Sequence, residues 1–329
     1  MRPFEYVAPF TLQEAFSLLS PTWGETDILA GGTDLLTLMK QSIHQPKRVV
    51  SLKNVKDLSR IDRFDGGLLI GAKVTLHQLA DNIPVRTEYP ALNQAAAGVK
   101  SLQMKAMGTV GGDLLQRPRC WYFRNGFGLL GRDSKGSPMV PNGENQYHAI
   151  LGNAGPAHFV NASSLAPALI ALRAKVKIAS SNGERELDVE QLYRIPLNEN
   201  ERELTLRPNE ILTHILIPPA NRARSATYEV RKRQGLDWPL ATASVSLRMK
   251  GDTVESASVA LGHVAPTPWR SHEAEGVLTN KVVTDKLAIE AGDAAVAKAT
   301  PLSRNAYKVQ LARVAVKRAV LAAAGLSPV

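Results

Sequence analysis

The stretch Asp27-Ile28-Leu29-Ala30-Gly31-Gly32-Thr33-Asp34-Leu35-Leu36 has a counterpart later in the chain, Gly108-Thr109-Val110-Gly111-Gly112-Asp113-Leu114-Leu115. In both, β-prone residues lead into paired glycines, followed by a short polar residue and Leu-Leu. Glycine allows positive φ and close approach of the backbone to a ligand, and a turn whose N–H groups face one way forms an anion-binding nest. A helix that begins directly after the turn adds its free N–H groups. The pattern therefore predicts two turns that bind one pyrophosphate from two sides. The alternative is two turns without a ligand, because Gly-Gly is a common loop dipeptide.

Around these turns, hydrophobic periodicity predicts short helices and strands as far as a strand at 210–217, which Pro218-Pro219 end. A domain boundary is expected near Pro219 to Arg224. Residues 116 to 160 show little periodicity, which in a compact domain is typical of a functional loop or an insertion. The other elements used below are a helix at 166–177 that runs into a strand at 176–178, strands at 227–232, 244–249 and 254–261, and helices at 284–299 and 305–324.

Bulk composition indicates a globular protein with an anionic partner or cofactor. The chain has 329 residues, 44% of them hydrophobic and 21% charged, enough for two or three domains. Its net charge of +10 fits nucleic acid, an acidic partner or an anionic cofactor. The basic residues are dispersed and only 5% of residues are aromatic, which disfavours nucleic-acid binding. The N-terminal segment does not resemble a signal peptide, and no stretch is long and apolar enough to span a bilayer.

Residues for metal or nucleophilic chemistry are sparse. Cys120 is the only cysteine, so the chain forms no internal disulfide and no all-cysteine metal site. None of the seven histidines has a short metal-ligand spacing. The G-x-G-x-x-G match at 126–131 follows no strand, which leaves a nicotinamide-binding Rossmann dehydrogenase as a minor alternative. No nucleophile motif is present, so neither a catalytic side chain nor a metal site is predicted.

Several segments spread over nearly the whole chain match one family together, although each alone is weak. They are Phe4-x-Tyr6 with Pro9-x-Thr11-Leu12-x-Glu14-Ala15, Ala30 to Leu36, Gly71-Ala72-x-x-Thr75, Gly108 to Gly112, Glu210-Ile211-Leu212 to Pro218, and Pro266-x-Pro268-Trp269-Arg270. In these segments the chain resembles the FAD-binding medium subunit of the molybdenum hydroxylases, the group of xanthine dehydrogenase, aldehyde oxidoreductase and carbon monoxide dehydrogenase. The resemblance implies an α+β fold. A two-lobed FAD-binding domain of the vanillyl-alcohol-oxidase (PCMH) type would cover 1–220, with lobes of about 1–55 and 56–220, and a smaller α+β domain of antiparallel strands and helices would cover 221–329.

The resemblance also assigns cofactor-binding residues. The first turn would wrap the FAD pyrophosphate with the backbone of Leu29, Ala30, Gly31, Gly32, Thr33, Asp34 and Leu35. The second phosphate-side loop would consist of Thr109, Gly111, Gly112 and Asp113. Val99 and Leu212 fall where relatives pack against the flavin, although plain core packing is an equal alternative for both. Ser164 falls at the ribose and adenine end.

Three departures from the family pattern bear on FAD binding. Asp113 stands where the family usually has Asn, and an acid near a pyrophosphate is unfavourable. Ser164 replaces the usual Asp. Glu229 stands where relatives often have a Lys beside the flavin, with Lys232 as a candidate substitute. These departures motivate an alternative function, a scaffold subunit that has lost FAD.

The segment Leu115-Gln116-Arg117-Pro118-Arg119-Cys120-Trp121-Tyr122-Phe123-Arg124 resembles a branch of the family with an insertion here, at about 116–160. In that branch four cysteines hold an extra [4Fe–4S] cluster. Only Cys120 is present in this chain, and one thiolate cannot replace four ligands. The expectation is therefore an insertion without a cluster.

The function implied by the resemblance is electron transfer through FAD in a heteromeric molybdenum hydroxylase. A large subunit would carry molybdopterin, a small subunit two [2Fe–2S] clusters, and this chain would pass electrons to an external acceptor: NAD, dioxygen, a quinone or a ferredoxin. The expected location is the cytoplasm, with co-export to the periplasm on a partner's signal as the alternative. Gly32→Val or Gly111→Val is expected to release FAD and leave the fold largely intact.

Overall fold

Three β-sheets organise the residues that this computed structural model describes, 1–233 and 237–327. The first sheet is parallel, in the order β1-β3-β2, and consists of β1 (Glu5–Val7), β2 (Thr26–Leu29) and β3 (Arg48–Ser51). Its two helices are α1 (Leu12–Leu18) and α2 (Leu35–Lys40). Ligands of parallel sheets bind beyond the carboxyl ends of the strands. The first glycine turn lies at that end of β2.

The second sheet is antiparallel, in the order β4-β5-β8-β6-β7. Its strands are β4 (Ile61–Phe64), β5 (Gly67–Gly71), β6 (Lys175–Ser180), β7 (Gly183–Asp188) and β8 (Ile211–Ile217). Its core includes fully buried Ile70, Leu92 and Ile215. The helices between β5 and β6 are α3 (Leu76–Asp81), α4 (Ile83–Glu88), α5 (Pro90–Gly98), α6 (Leu102–Met107), α7 (Val110–Leu115), α8 (Trp121–Arg124) and α9 (Ala166–Ala171).

The third sheet is also antiparallel, in the order β12-β11-β10-β9, and it has its own core. Its strands are β9 (Arg224–Val230), β10 (Ala241–Lys250), β11 (Thr253–Gly262) and β12 (Trp269–Arg270). The chain ends with α10 (His272–Leu278), α11 (Asp285–Val296) and α12 (Tyr307–Ala324). The buried face of α12 includes Ala312, Val316 and Val320, which is the helical spacing of an amphipathic element.

Several expected elements begin or end a few residues away from their predicted bounds, and one helix is much shorter than predicted. The helix expected at 166–177 ends at Ala171, because Arg173 takes a left-handed backbone conformation at φ 57° before β6 begins. The second glycine turn forms the first turn of helix α7 itself. Thr109 caps that helix, and its hydroxyl accepts a hydrogen bond from the amide of Gly112 at 3.1 Å.

The insertion at 116–160 is packed into the protein rather than loose. Phe123, Leu129 and Leu130 are buried with Leu38 of α2 in a small core. Ile150 and Leu151 belong instead to the core of the third sheet. The insertion therefore joins the first glycine turn to the C-terminal part of the chain.

Candidate functional site

The two glycine turns touch each other. A Cβ atom placed on Gly31 would overlap the carbonyl oxygen of Met107, so the first turn packs directly against the Met107–Gly108 peptide. Only glycine allows this backbone contact. One glycine of the first pair is therefore needed to bring the two turns together, which the sequence pattern did not indicate.

The first turn connects the end of β2 to α2. Gly32 has φ 74°, a conformation that favours glycine, and its carbonyl accepts a hydrogen bond from the amide of Leu36 at 3.3 Å. A Cβ atom on Gly32 would meet side-chain atoms of Leu36 at 3.0 Å and Leu29 at 3.3 Å. Asp34 precedes the helix, but its side chain makes no cap hydrogen bond.

The second turn is held by the segment that follows β5. The amide of Gly111 donates to the carbonyl of Ala72 at 2.8 Å, and the amide of Val110 donates to the carbonyl of Val74 at 2.9 Å. A Cβ atom on Gly111 would lie 2.9 Å from the Cβ of Ala72. This turn is consequently fixed in place by the second sheet.

Both turns line one cavity of about 200 Å³, here called cavity 1. Its basic residues are Lys73, Arg117, Arg202 and Arg207, and its acidic residues are Asp27, Asp34 and Glu210. The Arg202 guanidinium stacks 4.1 Å from the ring centroid of Trp23, and burial lowers the pKa of Arg202 to about 10, so it stays cationic at neutral pH. The glycine backbone and the surrounding cations fit a diphosphate group.

Asp34 links the first turn to the insertion. Its Oδ1 lies 2.8 Å from Nη2 of Arg124 and 3.3 Å from Nη2 of Arg119, and its Oδ2 accepts a hydrogen bond from the amide of Arg117 at 2.8 Å. The carboxylate is thus neutralised by cations, and it does not leave a free negative charge in cavity 1. Sequence reasoning placed Asp34 at the pyrophosphate but missed these arginines, because they lie more than 80 residues away.

A buried polar chain extends from Arg117. Its Nη1 lies 2.8 Å from Nε2 of His44, whose Nδ1 lies 3.1 Å from Oδ2 of Asp27. Arg117 also pairs with the buried Glu203. This chain ties β2, the insertion and the segment before β8 into one wall of cavity 1.

The structure brings most of the predicted cofactor-binding residues together. Those that line cavity 1 are Ala30, Gly31, Gly32, Thr33, Asp34, Leu35, Thr109, Gly111, Gly112 and Leu212. Those outside its lining are Leu29, Val99, Asp113, Ser164 and Lys232. Val99 packs against the core of the second sheet, and Lys232 lines a different cavity. The roles of all these residues toward a cofactor stay predictions.

The side chain of Asp113 is engaged by a neighbouring loop. Its oxygens accept hydrogen bonds from the hydroxyl of Ser163, from the amide of Ser164 at 3.3 Å and from the amide of Leu165 at 3.0 Å. Burial raises the pKa of Asp113, while these hydrogen bonds oppose the rise. The expected repulsion between Asp113 and a pyrophosphate is therefore reduced, because the carboxyl group is held by this loop. Two of the family departures, Asp113 and Ser164, are in direct contact.

We expect Asp113→Asn to lower the free energy of unfolding by about 1–2 kcal/mol, because an amide has one acceptor oxygen and leaves buried N–H groups without a partner. Chemical denaturation of the purified protein measures the change. Asp133→Asn is the matched control, because Asp133 accepts hydrogen bonds from two amides in an exposed turn at 2.8 Å. An unfolding free energy for Asp113→Asn equal to that of the wild type would contradict this role.

Glu229, the third departure, lies beside Val99. A Cβ atom on Gly98 would meet Oε2 of Glu229 at 2.5 Å, so the carboxylate abuts the end of α5. Its Oε2 pairs with Nη2 of Arg231 at 2.6 Å. Burial raises the pKa of Glu229, and Arg231 opposes the rise. Arg231 is the cation that pairs with Glu229, and Lys232 lines the other cavity.

The described residues contain no cluster of three or more His, Cys, Asp and Glu side chains that could hold a metal ion. Within the same residues, none of the helices has the length and apolar character needed to cross a membrane. Cys120 is a free thiol whose Sγ lies 3.2 Å from Nε2 of His148.

Comparison with known proteins gives matches over the whole length. Residues 2–220 match the family model described as the FAD binding domain in molybdopterin dehydrogenase, and residues 226–323 match the CO dehydrogenase flavoprotein C-terminal domain. The chain is 30% identical to the aldehyde oxidoreductase FAD-binding subunit PaoB of Escherichia coli (strain K12), over 95% of this chain and 96% of that protein. It is 29% identical to the carbon monoxide dehydrogenase medium chain of Hydrogenophaga pseudoflava, over 97% and 96%.

Solved structures agree with these matches. The carbon monoxide dehydrogenase of Hydrogenophaga pseudoflava that lacks the Mo-pyranopterin moiety superimposes with a TM-score of 0.77 at 27% identity, over 98% of each chain. Quinoline 2-oxidoreductase of Pseudomonas putida 86 superimposes with a TM-score of 0.75 at 25% identity, also over 98% of each chain. The α+β fold class predicted above is confirmed.

Proposed function

The chain belongs to the family of FAD-binding subunits of molybdenum-containing dehydrogenases, and from this premise we propose that it holds one FAD with the diphosphate in cavity 1, between the two glycine turns. It is an oxidoreductase subunit. The observation that carries the proposal is the contact between Gly31 and the Met107–Gly108 peptide, which brings two glycine turns to one cavity. The scaffold alternative without FAD is not favoured, because the glycine turns and the basic residues Arg202 and Arg207 all line cavity 1.

FAD supplies the redox chemistry when bound, and the protein supplies binding, orientation and electrostatics. The backbone of 30–35 faces the diphosphate. Thr109, Gly111 and Gly112 line the same cavity and allow close approach of the cofactor, while the amides of Gly111 and Gly112 donate within the chain. Arg202 and Arg207 line the same cavity and provide positive charge. Leu212 provides an apolar surface in the same cavity. The proposed cofactor contacts of Val99, Asp113, Ser164 and Lys232 lie outside the lining of cavity 1. No side chain of the chain serves as nucleophile or general base in this proposal.

The partners that we propose are a large molybdopterin-binding subunit and a small subunit with two [2Fe–2S] clusters. This proposal is supported by relatives that are named medium chains and FAD-binding subunits. FAD-binding and C-terminal domains at 1–220 and 221–329 are part of the proposal. We also propose that the chain belongs to the branch with the insertion and that it holds no extra [4Fe–4S] cluster. The presence of a single cysteine, Cys120, supports the absence of the cluster. Location in the cytoplasm, with co-export to the periplasm as the alternative, stays a prediction.

We expect the purified full chain to retain FAD in preference to FMN, because FMN lacks the diphosphate bridge that cavity 1 is proposed to hold. Protein stripped of flavin and titrated with each nucleotide should bind FAD at least about tenfold more tightly, a difference of about 1.4 kcal/mol. Flavin fluorescence measures both affinities. Equal affinity for FAD and FMN would contradict the placement of the diphosphate, and failure to bind either would contradict the function.

A further inference from the structure

A second cavity, of about 630 Å³ and here called cavity 2, has Arg119 in its lining. The Nη2 of Arg119 is 3.3 Å from Asp34 of the first glycine turn, and its guanidinium stacks 4.9 Å from the ring centroid of Trp238, which lines cavity 2. One side chain thus bridges the two cavities. A ligand that stacks on Trp238 would therefore be separated from the first glycine turn by one side chain.

The wall of cavity 2 is aromatic. Trp121, Tyr147 and Trp238 are exposed, and Phe159 is buried among the lining residues. The rings of Trp238 and His263 lie 6.5 Å apart between centroids, at an angle of 42°. Exposed indole and phenol rings around a concave site favour a flat ligand that stacks on them.

The charge of cavity 2 is positive. Its described lining contains Arg119, Lys232, Arg233 and Lys308, and one acid, Asp237, which pairs with Arg233 at 2.9 Å. Arg119 also contacts Asp34, and burial lowers the pKa of Lys308 to about 7, so Lys232 contributes the least compensated positive charge. Such a lining favours electronegative oxygens or an anionic substituent on the ligand.

A buried imidazole supplies a hydrogen-bonding group. The Nδ1 of His263 lies 3.1 Å from the hydroxyl of Thr242, and its Nε2 is buried with no hydrogen bond among the described residues. The carbonyl of Ala162 opposes the lowering of the His263 pKa, but Nε2 has no hydrogen-bond partner in the part of the chain that the structure describes. Burial lowers the pKa of His263 to about 3, so the ring is neutral at pH 7. When Nδ1 accepts from Thr242, Nε2–H is a free donor for a carbonyl oxygen.

We propose that cavity 2 binds a planar quinone, the external electron acceptor, with its ring against Trp238 and a carbonyl oxygen facing His263. This inference rests on the proposed function, which supplies the reduced flavin. Two electrons and two protons pass from FADH₂ to the quinone, whose two carbonyl groups become hydroxyl groups, and FAD is regenerated. A ferredoxin is too large for this cavity, and dioxygen needs no aromatic wall.

Anthraquinone-2-sulfonate is the binding probe, because it is planar and anionic and resists addition of the Cys120 thiol. Isothermal titration of the FAD-loaded full chain should show saturable binding. Trp238→Ala should weaken it about tenfold through loss of stacking, whereas Trp238→Phe should keep it within about threefold. Phe64→Ala is the matched control, since Phe64 is an exposed ring outside the cavity lining, and it should leave binding unchanged.

Electron transfer gives a second readout. Anaerobic reoxidation of the photoreduced, FAD-loaded chain by duroquinone should slow about tenfold in Trp238→Ala and keep the wild-type rate in Phe64→Ala, in parallel with binding. FAD content, measured by absorption in every variant, separates this inference from the proposed function. FAD-loaded protein that fails to bind the probe would overturn the inference alone.

Three further results would also overturn it. Binding only to FAD-free protein would assign the cavity to the flavin ring. An unchanged affinity in Trp238→Ala would place the probe elsewhere. Displacement of the probe by NAD would identify a nucleotide site.

Discussion

We expect Gly32→Val to lower the affinity for FAD by at least about tenfold. This is the largest effect on cofactor binding that we expect from one substitution. Gly32 has φ 74°, where a β-branched residue is strained by about 1–3 kcal/mol. The valine side chain would also clash with the side chains of Leu36 and Leu29, which flank the turn. The N–H groups proposed to face the diphosphate would then move. Titration of flavin-stripped protein with FAD measures the loss.

Gly251→Val is the matched control for Gly32→Val. Gly251 has φ 60° in the hairpin between β10 and β11, and a Cβ atom there meets nothing within 4 Å. The control should suffer similar backbone strain and keep its FAD. Stoichiometric FAD in Gly32→Val, or equal loss in both variants, would contradict the role of the first turn.

Gly111→Val cannot serve as a clean test of FAD binding, contrary to the sequence expectation. A Cβ atom on Gly111 would lie 2.9 Å from the Cβ of Ala72 and 3.1 Å from its carbonyl oxygen. The larger side chain would therefore separate α7 from the end of β5. Loss of FAD in that variant would accompany a loss of stability.

Lys308→Met is expected to lower the free energy of unfolding by about 3 kcal/mol or more, the largest stability effect among our predictions. Lys308 is fully buried, and its ammonium donates to the carbonyls of Tyr147, His148 and His263 at 3.1, 3.0 and 2.7 Å. Methionine has a similar length and no donor, so three carbonyl groups lose a partner. Chemical denaturation measures the change.

Lys317→Met is the control on the same helix. Lys317 pairs with Asp285, a side chain that is 63% exposed, and surface pairs contribute about 0–1 kcal/mol. Its unfolding free energy should stay within about 1 kcal/mol of the wild type. A cost for Lys308→Met as small as that of the control would show that the carbonyl groups find other partners, and that Lys308 does not hold the insertion to the C-terminal part.

Local patterns predicted the helices and strands best where the signal spans a single element. Thr11 and Thr75 cap helices, and such caps can be read from the sequence because they depend on residues three positions apart. Pro218-Pro219 follow the end of β8 at Ile217, because proline cannot continue a ladder of hydrogen bonds. The helix expected at 166–177 was wrong beyond Ala171, since apolar runs at a helix–strand junction fit both periods.

In the candidate site, too, the sequence predicted local features and missed contacts between distant residues. The two glycine pairs were identified from the sequence, because few residues other than glycine permit such turns. The cluster of Arg117, Arg119 and Arg124 around Asp34 was not, since nothing in the local spacing of the arginines points to an acid more than 80 residues away. The side-chain direction of Asp113 was also missed, because it depends on Ser163 and the backbone of 164–165.

By itself, the sequence determined the paired glycines, the order of elements and the family, because backbone freedom, hydrophobic period and motif spacing are properties of neighbouring residues. Only the tertiary structure decided that Gly31 abuts the Met107–Gly108 peptide, and that Arg119 lies between two cavities. The reason is physical. Such contacts join residues that are 70 to 120 positions apart, and packing of the sheets and the insertion, not local conformational preference, brings them together.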